Sequence, residues 1–340
     1  MKLIRGYIIL LSVILSFSAR AQQDIILTQQ HLSRININPA ATPVSNYANA
    51  FLIARQQWVG FQGAPSTQLF NAHSYIDDIR SSIGLSIMND IVGRSRNLNL
   101  MLNYAYHLRV GYESHLAFGL GIGLQNRRID GDLIFGQPED GVDFEEIWYG
   151  RRGIRPSVNF GITYTTPNFA FGVSATNLSR FFYNEDDWFR LPLHLYSFIE
   201  IGLDMSDAVR FTPRVQFMSA MGSSIAPMVN GTDTIRFGFT DRFDAVFDLG
   251  GTFSFGDRIS LGASFRTDAT FSRNTGSAIA AKIGINLGPN FRIGYAYEQN
   301  LGSRNVFENI RRFSTHEIML HIRMRVSEAQ TSERTPRFFE

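Results

Sequence analysis

The residues able to do chemistry are scattered along the chain. Seven histidines, His31, His73, His107, His115, His194, His316 and His321, show neither HxxxH nor HExxH spacing, so no two of them would share one face of a helix around a metal. The stretch PEDGVDFEEI at 138–147 carries enough carboxylates for Ca²⁺ but lacks the ordered spacing of an EF-hand loop, and it reads as a solvated surface loop. Ser74 adjoins His73 and Ser314 lies near His316, but neighbours in a strand point to opposite faces, and no Gly-x-Ser-x-Gly is present. GLGIGLQ resembles a dinucleotide loop only in its glycines, since neither a helix nor an acidic partner follows. The sequence therefore assigns no catalytic residue, no cofactor and no metal ligand, and enzyme activity is not expected. What remains is polar and aromatic recognition chemistry. It is densest in RQQWVGFQGAP at 55–65, where Arg55, Gln57, Trp58, Phe61 and Pro65 surround Gly60 and Gly63.

The elements that position these residues announce themselves by alternation with period two. In LAFGLGIGL, Leu116, Phe118, Leu120, Ile122 and Leu124 point one way, while Ala117, Gly119, Gly121 and Gly123 point the other. The pattern recurs in 98–110, 259–266, 279–287 and 318–326, with Asn, Ser, Gly, His, Lys and Arg on the face opposite the apolar one. Fourteen strands are expected, at 47–57, 66–76, 82–91, 98–110, 115–127, 154–165, 168–178, 193–204, 209–219, 243–255, 258–267, 277–287, 291–299 and 315–326. Many run beyond the roughly six residues usual in globular sheets. Tight connections at 111–114, 166–167, 205–208, 256–257 and 288–290 are expected to alternate with long segments at 128–153, 179–192, 220–242 and 300–314. An even count with short turns on one rim and long loops on the other is the pattern of an all-β, antiparallel outer-membrane barrel. The competing arrangement, a water-soluble β-sandwich, would turn the apolar face inward.

The ends of the chain agree with export. Lys2 and Arg5, the apolar run 7–17 and Ala19-Arg20-Ala21 form a signal peptide, with cleavage expected after Ala21. There is no Cys, so an exported fold has no disulfide to lean on. Loss of Lys2, Arg5 and Arg20 leaves 29 of the 32 Lys+Arg against 30 Asp+Glu, which is no nucleic-acid footprint. Lys282 is then the one lysine, and every other cationic side chain apart from histidine is Arg. By parity Arg109, Arg155, Arg210, Arg214, Arg266, Arg292, Arg323 and Arg325 face inward with Asp244, Asp248, Glu298 and Glu317, either lining a polar pore or bracing a closed barrel. The domain plan is signal peptide 1–21, a segment 22–46 entering the barrel mouth from the periplasm as a partial plug, barrel 47–326 and tail 327–340. Inward glycines would let another backbone approach the wall.

NPAATP (38–43), RQQWVGFQGAPSTQ (55–68), GLSIMNDIVG (84–93), LNYAYHLRV (102–110) and LAFGLGIGL (116–124) follow one another in this order. The set resembles the PorP/SprF family of type IX secretion outer-membrane proteins of Bacteroidetes. Arg55, Gln57, Trp58, Gly60, Phe61, Ala64 and Pro65 stand where that family's first hairpin has its motif. Ser314, His316, Glu317 and Ile318 stand at its closing strand, with Thr315 breaking the match. Asn38, Pro39 and Ala40 form the N-terminal turn. The tail 327–340 departs from the family's pattern by running past the last strand. The resemblance implies an outer-membrane protein that supports secretion or surface attachment of proteins such as gliding adhesins. Its implied partners are type IX components and secreted surface proteins, in contact with outer-membrane lipid. It implies no catalytic residue. For Trp58 and Phe61 two readings stand: interfacial anchors of a tight hairpin, with Arg55 and Gln57 bonding inside the barrel, or a docking surface. The alternative function is a porin or transporter for small or hydrophobic solutes.

Overall fold

The computed structural model describes residues 26–61, 63–129, 152–183, 191–230, 234–256, 258–268, 277–301 and 313–326, with the backbone alone for 129, 222–230, 234–244 and 268. The signal peptide, the acidic loop 138–147 and the tail 327–340 lie outside the described residues.

The strands are β1 (Tyr47–Gln56), β2 (Ser66–Ile76), β3 (Ser81–Val92), β4 (Ser95–Arg109), β5 (His115–Ile129), β6 (Arg152–Thr166), β7 (Phe169–Thr176), β8 (Leu193–Ile201), β9 (Leu203–Ser206), β10 (Val209–Asn230), β11 (Thr234–Phe255), β12 (Ile259–Asp268), β13 (Ala278–Asn286), β14 (Phe291–Asn300) and β15 (Ser314–Arg325). β8 and β9 are two parts of one stave interrupted at Gly202, and both pair with β10, so the barrel has fourteen staves. All pairings are antiparallel, and apart from the seam each stave pairs with its neighbours in sequence. The seam is made by β1 and β15, in register from Tyr47 opposite Arg325 to Gln56 opposite His316. Closure leaves the sheet no free edge, which is the condition for strands to cross hydrocarbon.

Side-chain direction follows the alternation. On β5, Phe118, Leu120, Ile122 and Leu124 are 40–55% exposed while Ala117 is buried. Leu100, Leu102, Ile154, Val173, Leu261, Ile283, Ile293 and Ile318 continue an apolar belt on the outer surface. An apolar patch that wraps a whole molecule has no counterpart in water-soluble monomers. Tyr104 and Tyr106 lie toward one rim of this belt and Tyr295 and Tyr297 toward the other, where amphipathic rings meet headgroups.

Two connections and one strand differ from expectation. The segment 220–242 is no long loop: β10 and β11 pair without interruption from Val209 opposite Phe255 to Asn230 opposite Thr234. β8 leaves β10 at Met221 and β12 leaves β11 at Val246, so the remaining ladder continues as a two-stranded ribbon beyond the rim. Weak hydrophobic alternation hid it, although Asn230-Gly231 is a hairpin-turn pair. The connection between β3 and β4 on the long-loop rim is a two-residue turn, with Gly93 at φ 58°. The stave expected at 193–204 is interrupted at Gly202, opposite a register shift between Val209 and Arg210 of β10, and the Arg210 guanidinium lies where a Cβ of Gly202 would be.

The inner face also departs from a simple polar lining. Phe51, Ile53, Leu69 and Met319 point inward and form a buried cluster with Leu27 of the N-terminal segment. Tyr196, Met218 and Val246 do the same with Ile26 and Ile37.

Outward Leu120 provides a test of the orientation. Leu120→Arg is expected to cost about 2–4 kcal/mol if the position lies near the bilayer midplane. Urea titration of the barrel in lipid vesicles measures it, and a cost near zero would contradict the lipid-facing assignment.

Candidate functional site

The described part of the N-terminal segment, residues 26–46, lies inside the barrel. Most of it is buried, including Leu27, Thr28, Gln29, Arg34, Ile35, Asn38 and Ala40. A chain with little regular structure must find partners for its backbone, and here the wall supplies several of them. The Thr28 and Gln29 amides donate to the two carboxylate oxygens of Glu317 at 2.8 and 2.7 Å. The Thr28 hydroxyl donates to Glu298 at 2.8 Å and accepts from Arg55 at 2.6 Å. Ser174 donates to the Ile37 carbonyl at 2.8 Å, and Asn71 donates to the Ser33 hydroxyl at 2.7 Å. The Arg34 guanidinium engages both Glu200 oxygens, at 2.5 and 3.2 Å, and stacks 3.9 Å above the Phe198 ring.

The turn Asn38-Pro39-Ala40 sits on bare backbone. A Cβ on Gly119 would lie 2.2–2.7 Å from backbone atoms of Pro39 and Ala40, and one on Gly161 would lie 2.0 Å from the Asn38 amide oxygen. The Asn38 side-chain amide donates to Thr163 at 3.2 Å and to the Val173 carbonyl at 3.3 Å, while its oxygen accepts the Ala40 amide at 2.9 Å. Further along the segment, Gly84 makes room for Ile35 and Gly294 for Gln29.

At the seam the wall's own charges converge. Arg55 stands opposite Glu317 across the β1–β15 ladder, at 3.5 Å, and reaches Glu298 at 2.9 Å. Arg266 joins Glu298 at 3.1 Å to Asp248 at 3.2 Å. Arg55, Glu298 and Glu317 are buried. Each carboxylate accepts several charge-assisted bonds, so removing one partner strands the others, at a cost of about 3–5 kcal/mol for a buried pair. His31 is held well below the ordinary histidine range by desolvation and then by the charges of Arg214, Lys282, Arg34 and Arg292.

The motif residues thus divide. Arg55 and Glu317 meet inside. Gln57 begins the rim hairpin, its amide donating to the Pro65 carbonyl at 2.9 Å. Trp58, at φ 49°, has its amide 3.4 Å from the Thr315 hydroxyl, and the next amide, of Val59, donates to the Ser314 carbonyl at 2.9 Å. Gly60, at φ 97°, lets the chain turn over Phe313. Phe61 packs edge-on between Trp58 and Phe313, at 6.3 and 5.9 Å, with its outer part exposed. His316 faces outward, bonded to Tyr295 at 2.7 Å and Ser314 at 2.9 Å, and takes no part in the buried network. His73 and His321 stack on Phe51. Of the inward arginines, Arg109 and Arg325 lie exposed at the turn rim, and Arg323 braces the Pro289 carbonyl there. The side chain of Asp244 lies outside the described residues. Arg34 and Glu200 were missed, because irregular chain carries no parity and Glu200 has no charged neighbour in its own strand.

A family model described as "Type IX secretion system membrane protein PorP/SprF" matches residues 19–322. The chain belongs to this PorP/SprF family. It is an outer-membrane β-barrel, and the RxQW hairpin, the NPA turn and the HEI strand start are positions within that barrel and its internal segment. No curated protein matches it. Among solved structures it is similar to the Pseudomonas putida toluene transporter TodX, with 10% identity, coverage of 91% of this chain and 95% of that one, and a TM-score of 0.49. It is also similar to a Pseudomonas aeruginosa FadL homologue, with 12% identity, coverage of 83% and 89%, and a TM-score of 0.47. A third is the CymD monoaromatic hydrocarbon channel, at 12% identity, 89% and 94% coverage and a TM-score of 0.48.

The glycine contacts give a direct test. Gly119→Val leaves the strand ladder intact but collides with Pro39 and Ala40. The expected result is a folded, heat-modifiable barrel whose N-terminal segment is cleaved by added protease faster than in the wild type. Equal cleavage rates would show that the segment does not rest on this glycine.

Proposed function

We propose that this PorP/SprF protein is a non-enzymatic component of type IX secretion that supports export or surface attachment of cargo proteins through protein contacts. One observation carries most weight against an open solute pore: the lumen holds the protein's own segment, tied to the wall through Glu200, Glu317 and the glycine notches. Family membership supports partners from the secretion apparatus, and the adhesin-like class of cargo follows from the family resemblance. The rim hairpin is the candidate contact surface. Val59 and Phe61 expose apolar side chains there beside a partly buried Trp58, and aromatic anchors of this kind often dominate protein interfaces.

Two experiments test the reading. In planar bilayers the full mature chain is expected to give no steady conductance, and deletion of 22–38 is expected to create one. Steady conductance by the intact protein, or solute uptake lost on its deletion, would favour the transporter alternative. Trp58→Ala is expected to retain the heat-modifiable barrel, since the hairpin is held by backbone bonds to Ser314 and Pro65, and to lower secretion of surface protein. Loss of the folded band would instead return Trp58 to a structural role.

A further inference from the structure

One sector of the lumen wall carries more cationic groups than its carboxylates can use. Lys282 is buried, and its ammonium has no hydrogen-bond partner among the described residues. Arg214 is buried too. Its Nη1 donates to the Thr252 hydroxyl at 3.2 Å, while Nη2 has no partner among the described residues. Arg292 donates to Ser260 at 2.5 Å, and its Nε is likewise unpartnered among the described residues. The four carboxylates around them are already engaged: Glu200 by Arg34, Asp248 by Arg266, Glu298 by Arg55 and Arg266, and Glu317 by Arg55 and two segment amides.

The three cations lie over glycines of neighbouring inward rows, among small Ser and Thr side chains. The Arg214 guanidinium lies over Gly250, with Nη2 2.9 Å from where a Cβ would stand. The Thr252 hydroxyl and Lys282 Cβ flank the empty Cβ position of Gly262, at 3.0 and 3.7 Å. Arg292 lies over Gly284 in the next inward row. The segment borders the same space: its Arg34 pairs with Glu200, which stands opposite Arg214 in the ladder. A buried ammonium with no partner is costly, and several together call for a counter-charge.

The docked segment itself creates this imbalance. Glu200 stands directly opposite Arg214 in the β8–β10 ladder, yet both of its oxygens are held by Arg34 of the segment. With the segment withdrawn, Glu200 is free to take Arg214 and the excess of positive charge falls.

We infer that Lys282, Arg214 and Arg292, over Gly250, Gly262 and Gly284, form a lumenal site for an oxyanion, a phosphate or carboxylate group, and that this site is complete only while the N-terminal segment is docked. Linkage then requires the anion to stabilise docking, since a ligand that binds one state draws the equilibrium toward it.

The test uses the full mature barrel in detergent, with protease cleavage of the N-terminal segment as readout. Potassium phosphate and potassium acetate are each compared with potassium chloride at equal ionic strength. Where cleavage needs undocking, an oxyanion at ten times its dissociation constant slows it about tenfold relative to chloride. Protection by phosphate alone identifies a phosphate group as ligand, and protection by acetate identifies a carboxylate. Lys282→Met and Arg214→Gln, each checked for the heat-modifiable band, are expected to abolish the difference between salts. Equal cleavage in all three salts, or full protection retained in both variants, would overturn the site.

Discussion

Pairing of every backbone amide and carbonyl in a medium without water is the constraint on which this structure depends. A sheet satisfies it only by closing, and here closure falls between the first and last strands. That seam explains why residues far apart in sequence form one motif. Arg55 follows the first inward residues of β1 and Glu317 opens β15, so closing the barrel sets them side by side. The rim hairpin that follows β1 is then bonded to Ser314 at the start of β15. The conspicuous hairpin sequence and the closing-strand sequence are two halves of one joint.

Closure also fixes the interior problem. Fourteen staves enclose more space than wall side chains alone fill, yet less than the wide channels of sixteen or more. The chain solves this with its own N-terminal segment, and the solution has two chemistries. Apolar inward residues, Phe51, Ile53, Leu69 and Met319, receive Leu27 where hydrocarbon-like packing suffices. Elsewhere glycines lower the wall by one side chain, so that the rigid Asn38-Pro39-Ala40 turn makes contact backbone to backbone. Gly119 of β5 and Gly161 of β6 are therefore seats for a particular segment as well as small lumen residues.

Strand number and direction were legible because alternation and turn residues are local signals that a lipid-facing surface strengthens. The inward–outward assignment followed from parity alone, as for Leu120 and Arg266. The long β10–β11 ribbon was less legible, since beyond the membrane nothing enforces a bulky apolar face. Arg34 and Glu200 lay further from view. Their pairing joins an irregular segment to a strand 166 positions away, and neither periodicity nor spacing encodes such a contact. Inward Phe51 and Ile53 were visible in retrospect: FLI at 51–53 places apolar side chains on both faces of β1, one for lipid and one for Leu27.

The balance of these contacts bears on what the segment can do. A segment held by a continuous apolar core would leave a large greasy cavity when it withdrew, and the barrel would pay heavily for release. Buried ion pairs behave differently, because their attraction is largely offset by the desolvation of both partners, so they specify a position more than they strengthen it. Glu200 and Glu317 can be rehydrated in an opened lumen, and Glu200 has a waiting alternative in Arg214. Arg55 would still hold Glu298 and Glu317 across the seam without Thr28. The wall's own network therefore survives the segment's departure, and a barrel whose closure and whose occupant rest on separate contacts is able to exchange one without losing the other.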